Sequence, residues 1–262
     1  MTDRGASNSR DNDIEIDYTH HYRRWHDDSD AHFKDMADYF ANKLKPFLPR
    51  ERASRIFEIG CGMGFALGGL QILGYQNIEG IDADRGQVAA AHRRGLSVKY
   101  VPVSETAAFL ATRADSYNVV LCIDVLEHIP LSDQLSFLAQ LRNALEPGGR
   151  LICQVPNASS GIASRWRYGD WTHHCSFSET SLDFVLHNAG FTVNIIMEAD
   201  PKNRPPFPYI LRPRVIGTWL LYRLFHTLRR LEYMVELGST EGRPIPLTPN
   251  ILAIATRPLS QK

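Results

Sequence analysis

Short apolar runs alternate with stretches of helical periodicity along most of the chain. The apolar runs have the length of buried strands and lie at 55–60, 77–82, 97–101, 117–123 and 150–156. Helical spacing fills the windows between them, at about 64–73, 84–94, 104–112 and 131–145. Strands that alternate with helices in this way predict right-handed β-α-β units and a parallel sheet with helices on both faces.

The flanking segments complete the predicted domain. Apolar residues recur with helical spacing from Phe33 to Phe47 and predict a lead-in helix that the nearby prolines bring to an end. Beyond the fifth strand, the sequence predicts a helix at about 178–189 and two more strands, FTVNIIMEA and NILAIATRP, the second at 250–258. We therefore predict one domain over residues 29–258, with a polar tail at 1–28 before it and a short tail at 259–262 after it. A Pro- and Arg-rich insertion at about 200–248 separates the last two strands and contains an amphipathic helix at about 212–236.

Composition then excludes several classes of protein. The 262 residues include 29 Lys and Arg against 29 Asp and Glu, which argues against a nucleic-acid backbone as the main partner. The four cysteines form no Cys-x-x-Cys pair, and Cys61, Cys122 and Cys153 lie in or beside apolar runs, so we expect reduced, buried thiols in a cytoplasmic protein. The first residues contain no apolar stretch, and no segment has the ~18 apolar residues of a membrane span, so we expect neither a signal peptide nor a transmembrane helix.

The motif EIGCGMG, residues 58–64, stands where the first predicted strand turns into a helix. Glycines at such a turn permit positive φ angles and let a ligand approach the backbone, while the N–H groups of the following helix bind anionic groups. Asp82 ends the second strand, where it either accepts hydrogen bonds from ribose hydroxyls or caps the next helix. The third glycine of a dinucleotide fingerprint would fall at position 65, which is Phe65, so the spacing disfavours NAD.

Four spaced motifs together resemble those of the class I S-adenosylmethionine-dependent methyltransferases. They are FEIGCGMG, GIDAD, NVVLCIDVLEHI and LEPGGRLICQVPN, and the resemblance covers about residues 30–258. The segments YGDWTHHCSFSETSLDFVLHNAGF and TPNILAIATRP are most similar to methyltransferases of lipopolysaccharide and O-antigen glycan synthesis. The resemblance implies an α/β, Rossmann-like fold with a seven-stranded, mostly parallel sheet of order 3-2-1-4-5-7-6, in which strand seven is antiparallel.

The same resemblance implies roles around the cofactor S-adenosylmethionine. Glu58 would stabilise the loop or the cofactor's amino group, Asp82 would hold the ribose, and Asp124 would lie near the sulfonium with Val125 behind the adenine ring. Ser104 and Glu105 stand where the family usually has an Asp that meets the adenine amino group. The implied cofactor-binding residues are Glu58, Gly60, Cys61, Gly62, Gly64, Asp82, Ala83, Glu105, Asp124 and Val125.

The acceptor side calls for a base if the acceptor is an alcohol, because a hydroxyl is a poor nucleophile until it loses its proton, and histidine titrates in a suitable range. We expect this base on the loop after strand five, where the related enzymes have a histidine that matches His173. The predicted catalytic set is His173, its neighbour His174 and Asp170 as a partner. A purely structural role for the loop histidine, and a base role for His128, remain open.

Two further groups have open alternatives. Trp166, Tyr168 and Trp171 form either a sugar-stacking wall or a packed lid. The insertion helix has an apolar stripe with arginines around it, which packs on its own domain as a substrate cover or touches an anionic membrane or a lipid-linked acceptor at the inner membrane face. The stripe consists of Ile216, Leu220, Leu224, Leu228, Leu231 and Val235.

We therefore expect a methyltransferase that modifies a sugar hydroxyl of a cell-surface glycan or its precursor. A quinone-like molecule or an amino sugar as acceptor remains open, as do a nicotinamide-dependent sugar-modifying enzyme and a non-catalytic cofactor-binding scaffold. The Tyr39-x-x-x-Lys43 pair of the nicotinamide class precedes the glycine loop instead of following strand five, which argues against that class. We predict no required metal, because His-Glu-x-x-His is missing and the early histidines lack the helical pairing of a metal site.

Overall fold

The computed structural model describes residues 20, 22–238 and 245–259, and within them the chain forms a seven-stranded sheet in the order β3-β2-β1-β4-β5-β7-β6. β1 to β5 pair in parallel, and β7 is antiparallel to both of its neighbours, as predicted. The strands are β1 Ile56–Ile59, β2 Ile78–Asp82, β3 Val98–Tyr100, β4 Tyr117–Ile123, β5 Leu145–Pro156, β6 Thr192–Glu198 and β7 Asn250–Thr256.

Helices cover both faces of this sheet. In the described residues they are α1 Asp30–Leu44, α2 Phe65–Ile72, α3 Arg85–Arg93, α4 Val103–Ala111, α5 Gln134–Ala144, α6 Ala163–Gly169, α7 Glu179–Asn188 and α8 Pro213–Leu237. The central strands β1 and β4 are buried on both faces, so their residues alternate between two apolar cores. Phe57 and Val120 belong to the core beneath α5 and α7, whereas Ile56 and Leu121 belong to the core beneath α1, α2 and α3. This confirms the predicted three-layer α/β architecture.

The sequence placed most elements within a few residues, and two differences have a local cause. β5 begins at Leu145 instead of residue 150, because Leu145 pairs with Tyr117 and the Gly148 N–H donates to the Arg257 carbonyl across the sheet. The short helix α6 lies inside a segment that the sequence treated as a loop. Its seven residues are too few to show an apolar period, and none of them is buried.

The amphipathic helix lies where the sequence predicted it. Of the two alternatives for its apolar stripe, packing on the domain was wrong. α8 has no buried residue, and Leu220, Leu224, Leu228 and Leu231 are each about half exposed while Val235 is 82% exposed. Among the described helices, none combines the length and the hydropathy that a membrane crossing requires.

Candidate active site

The glycine loop lies between β1 and α2, as predicted, and its three glycines all have positive φ angles: +64° at Gly60, +54° at Gly62 and +82° at Gly64. A Cβ on Gly60 would lie 2.5 Å from Cγ2 of Val125, and one on Gly62 would lie 2.6 Å from Oε1 of Gln87. Residues other than glycine would therefore meet both backbone strain and a collision here. The loop is a tight turn at the carboxyl edge of the sheet, and its glycines let side chains such as Val125 and Gln87 pack directly against its backbone.

Asp82 fixes this loop from the end of the neighbouring strand. Its Oδ2 accepts the Gly62 N–H at 2.7 Å, and its Oδ1 accepts the Asp84 N–H at 2.8 Å. Asp84 caps α3 by accepting the Gln87 N–H. Asp82 therefore does not have the helix-capping role that the sequence left open for it. Each carboxylate oxygen of Asp82 can still accept one further hydrogen bond, which leaves the predicted ribose contact available.

Glu58 is a buried carboxyl beneath the loop. Its Oε2 has no hydrogen-bond partner among the described residues, although the side chain is almost inaccessible. Burial, and secondarily the charge of Asp82, raise the pKa of Glu58 well above its usual value. Burial also raises the pKa of Asp82, although the hydrogen bonds from the loop N–H groups act to lower it. Two carboxyl groups that lose hydration together favour a cationic neighbour, because a positive charge nearby stabilises both ionised forms.

Asp124 follows β4 at the carboxyl edge of the sheet, and we call the space that Asp124, Asp82 and Glu58 share there the recess. More than a third of its surface is accessible, yet loss of hydration raises the pKa of its carboxyl to about 6, against the lowering effects of Gln154 and Lys43. Gln154 Nε2 donates to both carboxylate oxygens, at 3.1 and 2.9 Å. Asp124 also adopts a φ of +52°, which is uncommon for a residue other than glycine and concentrates at functional sites.

The remaining predicted cofactor residues lie around this recess. Cys61 is buried in the loop, Val125 packs against Gly60, and Ala83 is exposed after β2. Glu105 lies in the first turn of α4 and is exposed at the end of β3, so its contact with an adenine ring stays a prediction.

Residues 22–29 contribute a wall of the recess that sequence reasoning assigned to a tail. The Tyr22 Oη would lie 3.3 Å from a Cβ on Gly62, and burial together with the charges of Asp124, Asp82 and Glu58 raises the pKa of Tyr22. The aromatic residues of this segment could have signalled packing, but a segment without helical or strand periodicity gives no pattern to find. The rest of the predicted tail, residues 1–19 and 21, lies outside the described residues.

Ion pairs and ring contacts hold this segment, which we call the N-terminal strap, residues 22–29. Asp28 pairs with Arg93 and, at 2.8 Å, with Arg94, whose side chain is largely buried. Trp25 packs on Trp166 of α6 with ring centroids 5.6 Å apart. The strap therefore connects the glycine-loop side of the recess to α6 on the other side.

The predicted catalytic residues meet opposite the glycine loop. His173 Nδ1 lies 2.9 Å from the Trp166 carbonyl, which accepts, so that nitrogen carries the proton in the neutral ring. The other ring nitrogen, Nε2, lies 4.0 Å from Glu127 Oε1 and 3.9 Å from Asp170 Oδ2. The structure thus brings His173 and Asp170 together as predicted, and it adds Glu127, which the sequence missed.

Glu127 and the residues that hold the loop complete this group. Glu127 is fully buried, neither carboxylate oxygen has a hydrogen-bond partner among the described residues, and burial followed by the Asp124 charge raises its pKa well above the usual value. His128 Nδ1 donates to Thr172 Oγ1 at 2.8 Å, since the Thr172 hydroxyl gives its own proton to Asp170 Oδ1 at 2.6 Å. His174 is exposed and uses its backbone N–H to bond the Glu127 carbonyl, so its side chain is not held in the group.

The three predicted aromatic residues differ in burial. Trp166 is half-buried against the strap, as in the lid alternative, whereas Trp171 is 90% exposed and Tyr168 is also exposed. Glu127, His128 and His173 present ligand-type atoms within 4.8 Å of one another, a spacing that could also hold a metal ion. Tyr39 and Lys43 of the rejected nicotinamide motif both bond Asp200, at 2.6 and 3.0 Å.

The glycine-loop side fits S-adenosylmethionine. Three carboxyl groups, those of Glu58, Asp82 and Asp124, surround the recess, and one of them has an orphaned oxygen. A donor with a sulfonium, an ammonium and a ribose matches this set, because carboxylates stabilise cations and accept hydroxyl protons.

Comparisons with known proteins also indicate a methyltransferase. The family model described as "Methyltransferase domain" matches residues 32–194, more than half of the chain. The ubiquinone biosynthesis O-methyltransferase of Cereibacter sphaeroides is 34% identical over 125 residues, 47% of this chain and 49% of that protein. The corresponding protein of Marinobacter nauticus is 32% identical over 143 residues, 51% of this chain and 58% of that protein. The chain spans about half the length of the curated relatives it matches.

Solved structures share the fold. A SAM-dependent methyltransferase from Archaeoglobus fulgidus superposes with a TM-score of 0.63 at 17% identity, covering 92% of this chain and 100% of that one. A methyltransferase from Mesorhizobium loti gives 0.53 at 16% identity, covering 86% and 100%. The narrower resemblance to glycan methyltransferases stays a prediction, since the matched curated relatives are named for ubiquinone biosynthesis. The sheet order, the glycine-loop cradle and the family match together show that this chain belongs to the class I S-adenosylmethionine-dependent methyltransferase family.

Proposed function

We propose that this protein transfers a methyl group from S-adenosylmethionine to a hydroxyl oxygen of a small-molecule acceptor, with His173 as the base. The observation that carries the proposal is the fixed tautomer of His173. The Trp166 carbonyl accepts from Nδ1, so Nε2 is the basic nitrogen of the neutral ring, and it lies 3.9 Å from Asp170 Oδ2 and 4.0 Å from Glu127 Oε1. A neutral imidazole in this orientation can take a proton, and the Asp170 carboxylate beside Nε2 stabilises the imidazolium that results.

Residues on one side of the recess bind the methyl donor, and residues on the other side activate the acceptor. When bound, S-adenosylmethionine supplies a methyl group on a positively charged sulfur. The glycine loop and Asp82 hold the donor, and Asp124 lies where a carboxylate favours that positive charge. His173 Nε2 takes the acceptor's hydroxyl proton while Asp170 and Glu127 orient the ring. The strap and Trp166 reduce access of water, which favours a displacement that depends on alignment.

Two acceptor classes fit a histidine base. The matched O-methyltransferases of ubiquinone biosynthesis support a quinone-like phenol, whose hydroxyl has a pKa near that of tyrosine, about 10, and so needs only modest activation. The exposed Tyr168 of α6 and Trp171 of the loop after it support a sugar hydroxyl in a glycan or its precursor, because the sugar ring could stack on them. The phenol is the first acceptor class to test and the sugar hydroxyl is the second.

The test compares His173→Gln with His174→Gln, a neighbouring histidine whose side chain is exposed. Both variants and the wild type receive methyl-labelled cofactor and two acceptor sets, dihydroxylated aromatic rings and nucleotide sugars, with products identified by mass spectrometry. We expect an O-linked methyl in the wild type, a loss of turnover of about 10²- to 10⁴-fold in His173→Gln, and near-normal turnover in His174→Gln. Cofactor affinity, measured by calorimetry, should stay within about twofold in both. An N-linked or carboxylate-linked methyl, or full turnover by His173→Gln, would overturn the proposal.

A further inference from the structure

The apolar face of helix α8 is exposed, whereas a helix that packs on its own domain turns its apolar face inward. Residues at i, i+4, i+8, i+11 and i+15 share one face of a helix, and here that face is Leu220, Leu224, Leu228, Leu231 and Val235. All five are half exposed or more, and Leu221, Phe225 and Met234 beside them are exposed as well. No described residue of the chain covers this face, which we call the outer stripe.

The opposite face of α8 carries the contacts with the domain, and they are polar or aromatic. The Tyr233 hydroxyl donates to the Ser159 carbonyl at 3.3 Å, and Arg230 lies 3.6 Å from Glu198 Oε1. Tyr222 and His226 stack on each other on the same side, with ring centroids 3.9 Å apart. The helix is therefore oriented by its polar face, and its apolar face points away from the protein.

The charge around the outer stripe is positive. Residues 200–237 include seven Lys or Arg against three Asp or Glu, whereas the whole chain is balanced. Arg214 and Arg223 are exposed on the two flanks of the helix. Just before it, Phe207, Tyr209 and Leu211 are also exposed. Aromatic residues beside a basic, apolar helix are characteristic of the boundary between lipid head groups and acyl chains.

We propose that α8 docks this protein on the surface of an anionic lipid bilayer, with the outer stripe in the acyl boundary and the flanking arginines on the head groups. The 25-residue helix is about 37 Å long, enough to lie flat in the head-group region. A second copy of the chain is the less suitable occupant, because pairing two such helices would leave the arginines on both flanks without a matching excess of acid. This surface is independent of the identity of the acceptor.

The test is flotation of the full chain with vesicles of phosphatidylcholine alone or with 30% phosphatidylglycerol, at low and high salt. We expect co-flotation with the anionic vesicles, weakened by salt, and little with the neutral ones. Leu228→Glu should lower the partition coefficient about tenfold or more, since leucine burial in the acyl region is lost. Arg214→Gln/Arg223→Gln should lower it about fivefold for each charge.

Ile72→Glu is the matched control, because Ile72 is equally exposed at the far end of α2 and the change adds the same charge. It should leave partitioning unchanged, and circular dichroism should show all variants folded. Failure of the wild type to float with anionic vesicles would overturn the proposal, as would equal flotation of Leu228→Glu. A wild-type dimer in light scattering that Leu228→Glu converts to a monomer would assign the stripe to a second copy instead.

Discussion

Asp82 and Gly62 are joined by one hydrogen bond, from the loop N–H to the carboxylate Oδ2 at 2.7 Å, and through it the end of β2 sets the shape of the turn after β1. The same carboxylate bonds the Asp84 N–H, so one side chain organises both loops at this edge of the sheet. The group predicted to bind ribose therefore also shapes the glycine turn beside it.

Asp82→Ala should weaken binding of S-adenosylhomocysteine by at least about tenfold and lower the free energy of unfolding by about 1–3 kcal/mol. Two loop N–H groups lose their acceptor, and the ribose loses its carboxylate. Calorimetry and urea unfolding measure the two effects. Normal cofactor affinity in a folded Asp82→Ala variant would contradict the assignment.

Gly60→Ala should abolish cofactor binding, whereas Gly74→Ala should not. Both glycines have positive φ angles, but a Cβ on Gly60 collides with Val125 while one on Gly74 meets nothing within 4 Å. Gly74→Ala thus measures backbone strain alone, about 1 kcal/mol of stability. Adding Val125→Ala to Gly60→Ala should restore part of the stability. Equal effects of the two single substitutions on cofactor affinity would argue against a steric role for the cradle.

Binding of S-adenosylmethionine should be nearly constant from pH 8 to about 7 and should weaken progressively as the pH falls through about 6 to 5. The pKa of Asp124 is raised to about 6, so acid neutralises the carboxylate that favours the donor's positive charge. Lys43 and Asp200 act on the same group in opposite directions, and Tyr22 faces it across the recess. Calorimetry with S-adenosylhomocysteine, which lacks the sulfonium charge, is the control and should show a smaller change. Asp124→Asn should flatten the difference between the two ligands; an unchanged difference would contradict this role.

The N-terminal strap should be protected from trypsin by the cofactor product. Arg23 and Arg24 are exposed cleavage sites within it, and Asp28 ties it to Arg93 and Arg94. S-adenosylhomocysteine should slow cleavage, because Tyr22 faces the recess, and Asp28→Asn should speed it and weaken ligand binding about fivefold. Asp27→Asn is the matched control, since Asp27 bonds the Ser29 N–H and its amide can still accept that bond. Cleavage that ignores both the ligand and Asp28→Asn would show that the strap does not close the recess.

Removal of divalent metals should leave methyl transfer unchanged. Glu127, His128 and His173 have the spacing of a metal site, but the proposed function uses His173 to take the proton of the acceptor hydroxyl. Dialysis against EDTA with activity and metal content measured together tests this. If activity is lost and added metal restores it, the acceptor is activated by a bound metal ion and not by His173 as a base.

Sequence patterns predicted the sheet because buried parallel strands and covering helices each have a distinct apolar period. β1, β2 and β4 lie within a residue of their predicted bounds, since the same residues that fill the two cores also make the pattern. The cradle residues Gly60 and Asp82 were equally accessible to sequence reasoning, because turn geometry and strand ends depend on local residue type. Glu127 was missed because a single acid beside His128 has no period and acquires its meaning only from a loop some forty residues further along.

The amino-acid sequence by itself determined the α/β sheet, the glycine turn and the place of Asp82 at a strand end, since these follow from local propensity and from the order of strands. The roles expected of Asp124 and His173 came from the resemblance to a known family. Only the tertiary structure decided that Tyr22 lies against the glycine loop, that Glu127 and Asp170 face His173, and that the stripe of α8 points outward. The reason is physical: periodicity reveals that a face is apolar, but which surface covers it depends on contacts between segments far apart in the chain.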